Sequence, residues 1–317
     1  MVKRCQNIET RGVINMTIEQ RIKNLSVPRG IVDVVLDTDA YNEIDDQFAI
    51  SYLIKSKEKL NTKAIYSAPF LNEKSVSPKD GMEKSYNEIL KLLSLSEEKC
   101  DVFKGSERYL DNENTPVISP AAQDLAKRAE NYSPENPLYV VAIGAITNIA
   151  SAILLNPDVA ENTVVVWLGG HAHHYHHTKE FNMYQDVAAA RVIMQSGVPF
   201  VQLPCIGVVD RFTVSKPELE FWLKGKNPLA DYLAQNAIEE AECYAKGKAW
   251  TRVIWDVTAV AWLINASQQF MESRIILTPL PTYDNFYATN YNGYPMRYVY
   301  SIKRDNLMTD LFQKLMK

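Results

Sequence analysis

From residue 31 to about residue 204, short β-branched apolar runs alternate with longer stretches in which apolar residues recur every three to four positions. IVDVVLD (31–37) is such a run and ends in acids, as a parallel strand buried on both faces does. TKAIYSA (62–68), DVFKG (101–105), LYVVAIG (138–144), TVVVWLGG (163–170) and PFVQLP (199–204) read as further strands. Between them lie helical patterns at 45–60, at 81–95, from Ser119 to Glu130, at 146–156 and at 185–197, the last stopped by Gly197. Strands separated by helices of this length form βαβ units. The fold class is therefore α/β: a mostly parallel sheet flanked by helices on both faces. After residue 210 the chain turns more helical, over 216–224, 227–246 and 255–266. SRIILTP (273–279) and MRYVYSI (296–302) read as a peripheral hairpin, and a helix over 304–316 closes the chain.

Residues 1–29 read as an extension with one short helix (TIEQRIKNL), ahead of a single domain over 30–317. The first residues lack the apolar core of a signal peptide, and no run reaches the 18 apolar residues that span a bilayer. The four cysteines are scattered with no CxxC pair, as in a cytoplasmic protein with reduced thiols. Hydrophobic residues make up 46% of the 317, enough for a substantial core, and a formal charge of −4 gives no reason to expect nucleic acid or an anionic membrane as partner.

Ligands of such sheets bind at the carboxyl ends of the strands, where Asp37, Asp39, Gly144, Gly169 and Gly170 fall. The segment from Asp37 to Asp46, DTDAYNEIDD, packs five acids into ten residues. Carboxylates repel one another, so such a concentration implies a compensating cation or substrate. Hard oxygen donors suit Ca²⁺ or Mg²⁺. Asp45 and Asp46 taken alone also suit a helix start. The spacing does not fit an EF-hand, and a strand followed by DxD also opens phosphatases of the haloacid-dehalogenase type.

LDTDAYNEIDDQFAI resembles the signature of the inosine-uridine preferring nucleoside hydrolase family, commonly DTDPGxDDAxA. VFKGSERYL (102–110), VAIGAITNIA (141–150), WLGG (167–170), EFNMYQDVAAARVI (180–193) and WDVTAVAWLI (255–264) are similar to its later motifs, in its order. The resemblance implies hydrolysis of the N-glycosidic bond of a ribonucleoside or related N-riboside, by a water held on Ca²⁺ and activated by Asp39 as general base. It implies Asp39, Asp46, Asp256 and the Thr147 carbonyl as metal ligands, with the ion also taking the ribose 2′ and 3′ hydroxyls. Asp45, Asn72, Glu180 and Asn182 would hold the sugar, and members are commonly homodimers or homotetramers. The structural alternatives are a helix-start acid for Glu180, a turn former for Asn182, a cap for Asp256 and a core tryptophan for Trp255.

Two residues are inserted in the first motif, so Asn42 or Glu43 can reach the substrate. Trp255 stands where many members have the histidine thought to protonate the leaving base, and suits a stacking platform. All five histidines (His171, His173, His174, His176 and His177) lie together before the sugar-binding motif. His174 and His177 are the candidates for the missing acid; a second metal or solvated rings are the alternatives. The rival functions are a DxD phosphatase and a catalytically silent ribose- or nucleoside-binding protein.

Overall fold

The computed structural model describes residues 16–317, so the start of the expected extension, with Cys5, lies outside the described residues. The chain runs α1 (Ile18–Asn24), β1 (Val32–Thr38), α2 (Asp45–Ile54), β2 (Leu60–Ser67), α3 (Pro78–Leu95), β3 (Asp101–Lys104), α4 (Pro120–Arg128), β4 (Leu138–Ala142), α5 (Thr147–Leu155), α6 (Asp158–Asn162), β5 (Thr163–Leu168), α7 (Phe181–Gln185), α8 (Val187–Ser196) and β6 (Phe200–Leu203). It continues through β7 (Thr213–Ser215), α9 (Lys216–Trp222), α10 (Pro228–Ala245), β8 (Thr251–Val253), α11 (Val257–Trp262), β9 (Met271–Leu277), β10 (Leu280–Pro281), β11 (Tyr287–Ala288), β12 (Pro295–Ile302) and α12 (Arg304–Leu315).

Local signals set several boundaries. Ser77, Ser119 and Asn227 each cap a helix whose first residue is proline, their side chains accepting from a backbone N–H three residues on. Gly197 ends α8 at φ 79°, a left-handed conformation that a side chain would strain. The helix expected over 45–60 stops at Ile54, where the Ser56 N–H donates to the Leu53 carbonyl three residues back and a turn closed by Lys59 N–H on the Ser56 carbonyl leads into β2.

Eight strands form one sheet in the order β3-β2-β1-β4-β5-β6-β12-β9. All neighbouring pairs are parallel except β12 with β9. Alternate residues feed two cores, one on each face. Val34, Leu36, Tyr139, Val141, Val164 and Val166 pack on one side, and Val35, Val140, Val165 and Trp167 on the other. This period of two is what continuous apolar strands produce when helices cover both faces.

The second strand of the expected peripheral hairpin is not peripheral. β12 pairs antiparallel with β9 as expected, but its other edge adds to the sheet beside β6, Arg297 opposite Val201. Met296 and Tyr298 of β12 pack into one core and Val299 into the other, as residues of a strand inside the sheet do.

The strand order reverses between β1 and β4, whose crossovers leave in opposite directions. A crevice opens there at the carboxyl ends of the strands.

Candidate active site

The crevice is a cavity of about 380 Å³. Its floor carries Asp39, from the end of β1, then Asp45 and Asp46 from the first turn of α2, and Asp256 before α11. Between Asp39 and α2 the inserted residues fold as a tight turn, the Asn42 N–H donating to the Asp39 carbonyl at 2.7 Å. A carboxylate oxygen from each of Asp45, Asp46 and Asp256 lies within 4.8 Å of the others. All four carboxyl groups are at most 3% exposed.

Burial, then repulsion from Asp46 and Asp45, drives the Asp39 carboxyl well above the usual carboxylate range. Burial and the neighbouring acids do the same to Asp46 and Asp256. Asp45 is raised to about 7 by burial and by Glu43, with Arg252 opposing. Asp256 faces Asp45 and Asp46 and caps no backbone N–H of α11. Asp39 Oδ2 and Asp45 Oδ1 are buried without a hydrogen-bond partner among the described residues. Orphaned carboxylate oxygens among mutually repelling buried acids are a donor set that a hard divalent cation fits.

Glu180 and Asn182 form the opposite wall. Glu180 caps α7, its carboxylate accepting from Gly170 N–H at 2.7 Å, Asn182 N–H at 2.9 Å and Met183 N–H at 3.0 Å. The Asn182 amide donates to the carbonyls of Leu168 and Ile143, at 3.0 and 3.2 Å, across the ends of β5 and β4. Both residues therefore have the structural role their types suggest and a place in the cavity wall besides. Cys205, just past β6, also faces the cavity and hydrogen-bonds with Glu180. It escaped sequence reasoning, although its place directly after the strand run PFVQLP carried the strand-end signal.

The rim is aromatic. Trp255 lines the cavity on one side and packs against the core on the other. His171, Tyr175 and His177 line the far side, with ring centroids 4.8 to 5.3 Å apart. Burial first, then His177, holds His171 down at about 4, so its ring is neutral at neutral pH. His173 sits between Tyr287 and Tyr298 with Nε2 2.8 Å from Gln202 Oε1, and His174 and His176 are exposed. His177 thus reaches the cavity, whereas His174 lies outside its lining.

Thr147 and Asn72 also lie outside that lining. Thr147 is the first residue of α5, its hydroxyl donating to Asp186 at 2.7 Å. Asn72 holds Asn42, donating from Nδ2 to Asn42 Oδ1 at 2.6 Å. A larger hollow of about 620 Å³ lies at the amino ends of β1 and β4, bordered by charges of both signs such as Arg29 and Asp33, on the side of the sheet away from these acids.

The model of one family, inosine-uridine preferring nucleoside hydrolase, matches residues 34–279. That span takes in most of β1 and all four acids. The chain belongs to this family. The hydrolase is 26% identical over 261 residues to a pyrimidine-specific ribonucleoside hydrolase, RihA, of Salmonella arizonae, covering 74% of this chain and 79% of that protein. It is 29% identical over 172 residues to a non-specific ribonucleoside hydrolase, RihC, of Salmonella paratyphi B, covering 53% and 54%. Among solved structures it is similar to a plant nucleoside hydrolase, PpNRh1, with TM-score 0.72 at 18% identity over 91% of this chain and 99% of that one. A purine-preferring ribonucleoside hydrolase from Gardnerella vaginalis gives TM-score 0.71 at 17% identity over 90% and 98%. The mostly parallel sheet flanked by helices is the fold these structures share. The hydrolase cleaves the N-glycosidic bond of ribonucleosides.

Proposed function

We propose that three of the four buried acids hold one divalent cation, Ca²⁺, and that Asp39 is the general base of ribonucleoside hydrolysis. The observation that carries this is the pair of orphaned oxygens, Asp39 Oδ2 and Asp45 Oδ1, on the floor of the cavity. Asp39, Asp46 and Asp256 are the carboxylate ligands, with the Thr147 carbonyl as a fourth from the chain. When bound, the cation offsets the carboxylate charge and makes a water at the site more acidic.

Asp39 accepts the proton of the attacking water as the oxygen approaches C1′. Asp45, Glu180 and Asn182 hold the ribose, and the carboxylates around the ring stabilise the positive charge that develops as the base departs. Glu180 is fixed for this by the three backbone donors it accepts. Trp255 offers its exposed face to the leaving base. His177 donates the proton that the departing nitrogen needs, a role for which the neutral His171 is unsuited. Asn72 serves the sugar site through Asn42.

The choice between purine and pyrimidine is left to the rim, and the structural neighbours and sequence relatives include enzymes named for each. A cytoplasmic location belongs to the same reading and is supported by the free thiols of Cys100, Cys205 and Cys243. So does assembly as a homodimer or homotetramer.

The test is a panel of purine and pyrimidine ribonucleosides assayed for released ribose, with and without a calcium-selective chelator. Turnover that is lost on chelation and restored by Ca²⁺ is expected. Turnover indifferent to chelation would overturn the metal assignment. A histidine role is checked on the same substrate: H177A is expected to lower kcat and remove the limb of its pH profile that belongs to the acid, and an unchanged profile would exclude His177.

A further inference from the structure

We infer that Asn42, from the inserted turn, is a substrate-binding residue whose side-chain amide donates a hydrogen bond to a ribose hydroxyl oxygen. This rests on the sugar placement proposed above. Asn42 is 8% exposed and lies in the cavity lining between Asp39 and Asp45. Its turn is pinned from both sides: its own N–H donates to the Asp39 carbonyl, and the next residue, Glu43, pairs with Arg252 at 2.8 Å.

The orientation of the amide follows from its neighbours rather than from atom labels. The Lys74 N–H, which can only donate, lies 2.8 Å from an Asn72 side-chain atom, which must therefore be Oδ1. The other Asn72 terminus is then Nδ2, a donor, and it lies 2.6 Å from Asn42. The Asn42 atom facing it must be Oδ1. What remains is the Asn42 NH₂ group, which has no protein partner among the described residues. A nearly buried amide with its donor end unspent at the edge of an acid cluster selects for an acceptor. The sugar hydroxyls are the acceptors that come to this end of the cavity.

Asn182 completes the complementarity from the opposite wall. Both its N–H groups are spent on the Ile143 and Leu168 carbonyls, so it offers its oxygen to the cavity. One wall thus offers a donor and the other an acceptor, and sugar hydroxyls, which both donate and accept, suit either. Asn72 is a positioning residue: it decides which end of Asn42 the substrate meets.

The experiment compares wild type, N42A, N72A and N72D on the ribonucleoside that wild type turns over best, and on its 2′-deoxy and 3′-deoxy counterparts. N42A is expected to lower kcat/KM for the ribonucleoside by about tenfold, the worth of one hydrogen bond to a desolvated group. That loss should vanish with the one deoxy compound lacking the partner oxygen. N72D still accepts from Lys74 but can no longer donate to Asn42. The Asn42 amide should turn over and present its oxygen, so N72D should lose more than N72A, although it is the smaller change in shape. An N42A enzyme equal to wild type, or one that loses the same factor on all three substrates, overturns the role of Asn42 while leaving the metal and Asp39 in place. Failure of wild type to release ribose from any ribonucleoside would instead overturn the placement beneath it.

Discussion

At Asp39 stability and activity pull in opposite directions. The carboxyl is 1% exposed, faces Asp46 and Asp45, and has one oxygen without a partner. Replacing it with asparagine keeps the volume and removes a repelling charge. D39N is expected to lose ribose release by at least ~100-fold, the usual worth of a general base. In the presence of a chelator it should melt higher than wild type, since a buried like-charge contact is gone. Differential scanning calorimetry beside the ribose assay reads both. His171 gives a second outcome of the same kind, with the sign set by its lowered pKa. A ring held at about 4 in the folded chain and near 6.5 when unfolded takes up its proton first in the unfolded chain. Wild type should therefore lose stability as pH falls from 6.5 to 4, and H171Q should show a shallower fall when Tm is followed across that range.

Single elements explain why some of the site was legible in the sequence and some was not. Asp39, Asp45 and Asp46 were visible because strand ends and helix starts fix where a side chain points, whereas Asp256, which by position alone reads as a cap, came from the family resemblance. The orientation of residues fixed by tertiary partners was not. Asn42 belongs to an insertion, and only the distant Asn72 and Lys74 give its amide a direction. His174 and His177 are three residues apart in one loop, and nothing local decides which of them turns inward. β12 was recognised as a strand but not placed, because pairing with β6 depends on the whole sheet having formed. The reversal between β1 and β4 yields its own test. A Cβ at Gly144 would stand 3.0 Å from Asp39 Oδ1 and 3.0 Å from Ala68 Cβ. G144A should push the Asp39 carboxylate aside and cost about 100-fold in kcat/KM, as small misplacements of reacting groups do. The melting temperature should fall by far less than a core deletion would cause.

For the molecule as a whole, the C-terminal segment closes the sheet rather than decorating it. β12 lies between β6 and β9, and α12 buries Leu307, Leu311 and Phe312 in the core beside α2. Removing residues 295–317 should bare the edge of β6 and leave the chain aggregated or unfolded, as circular dichroism and size-exclusion chromatography would show. The histidine wall of the cavity depends on β12 and on the loop and short strand that precede it, over residues 285–298. His173 is held between Tyr287 and Tyr298, the Tyr287 hydroxyl donates to the His171 carbonyl at 3.2 Å, and the Thr178 N–H donates to the Asn285 carbonyl at 2.8 Å. A ribosome makes these tyrosines after every one of the four site acids. The nascent chain can therefore gather its early strands and Asp39 well before it can cut anything, and competence waits until residues 285–298 have cleared the exit tunnel.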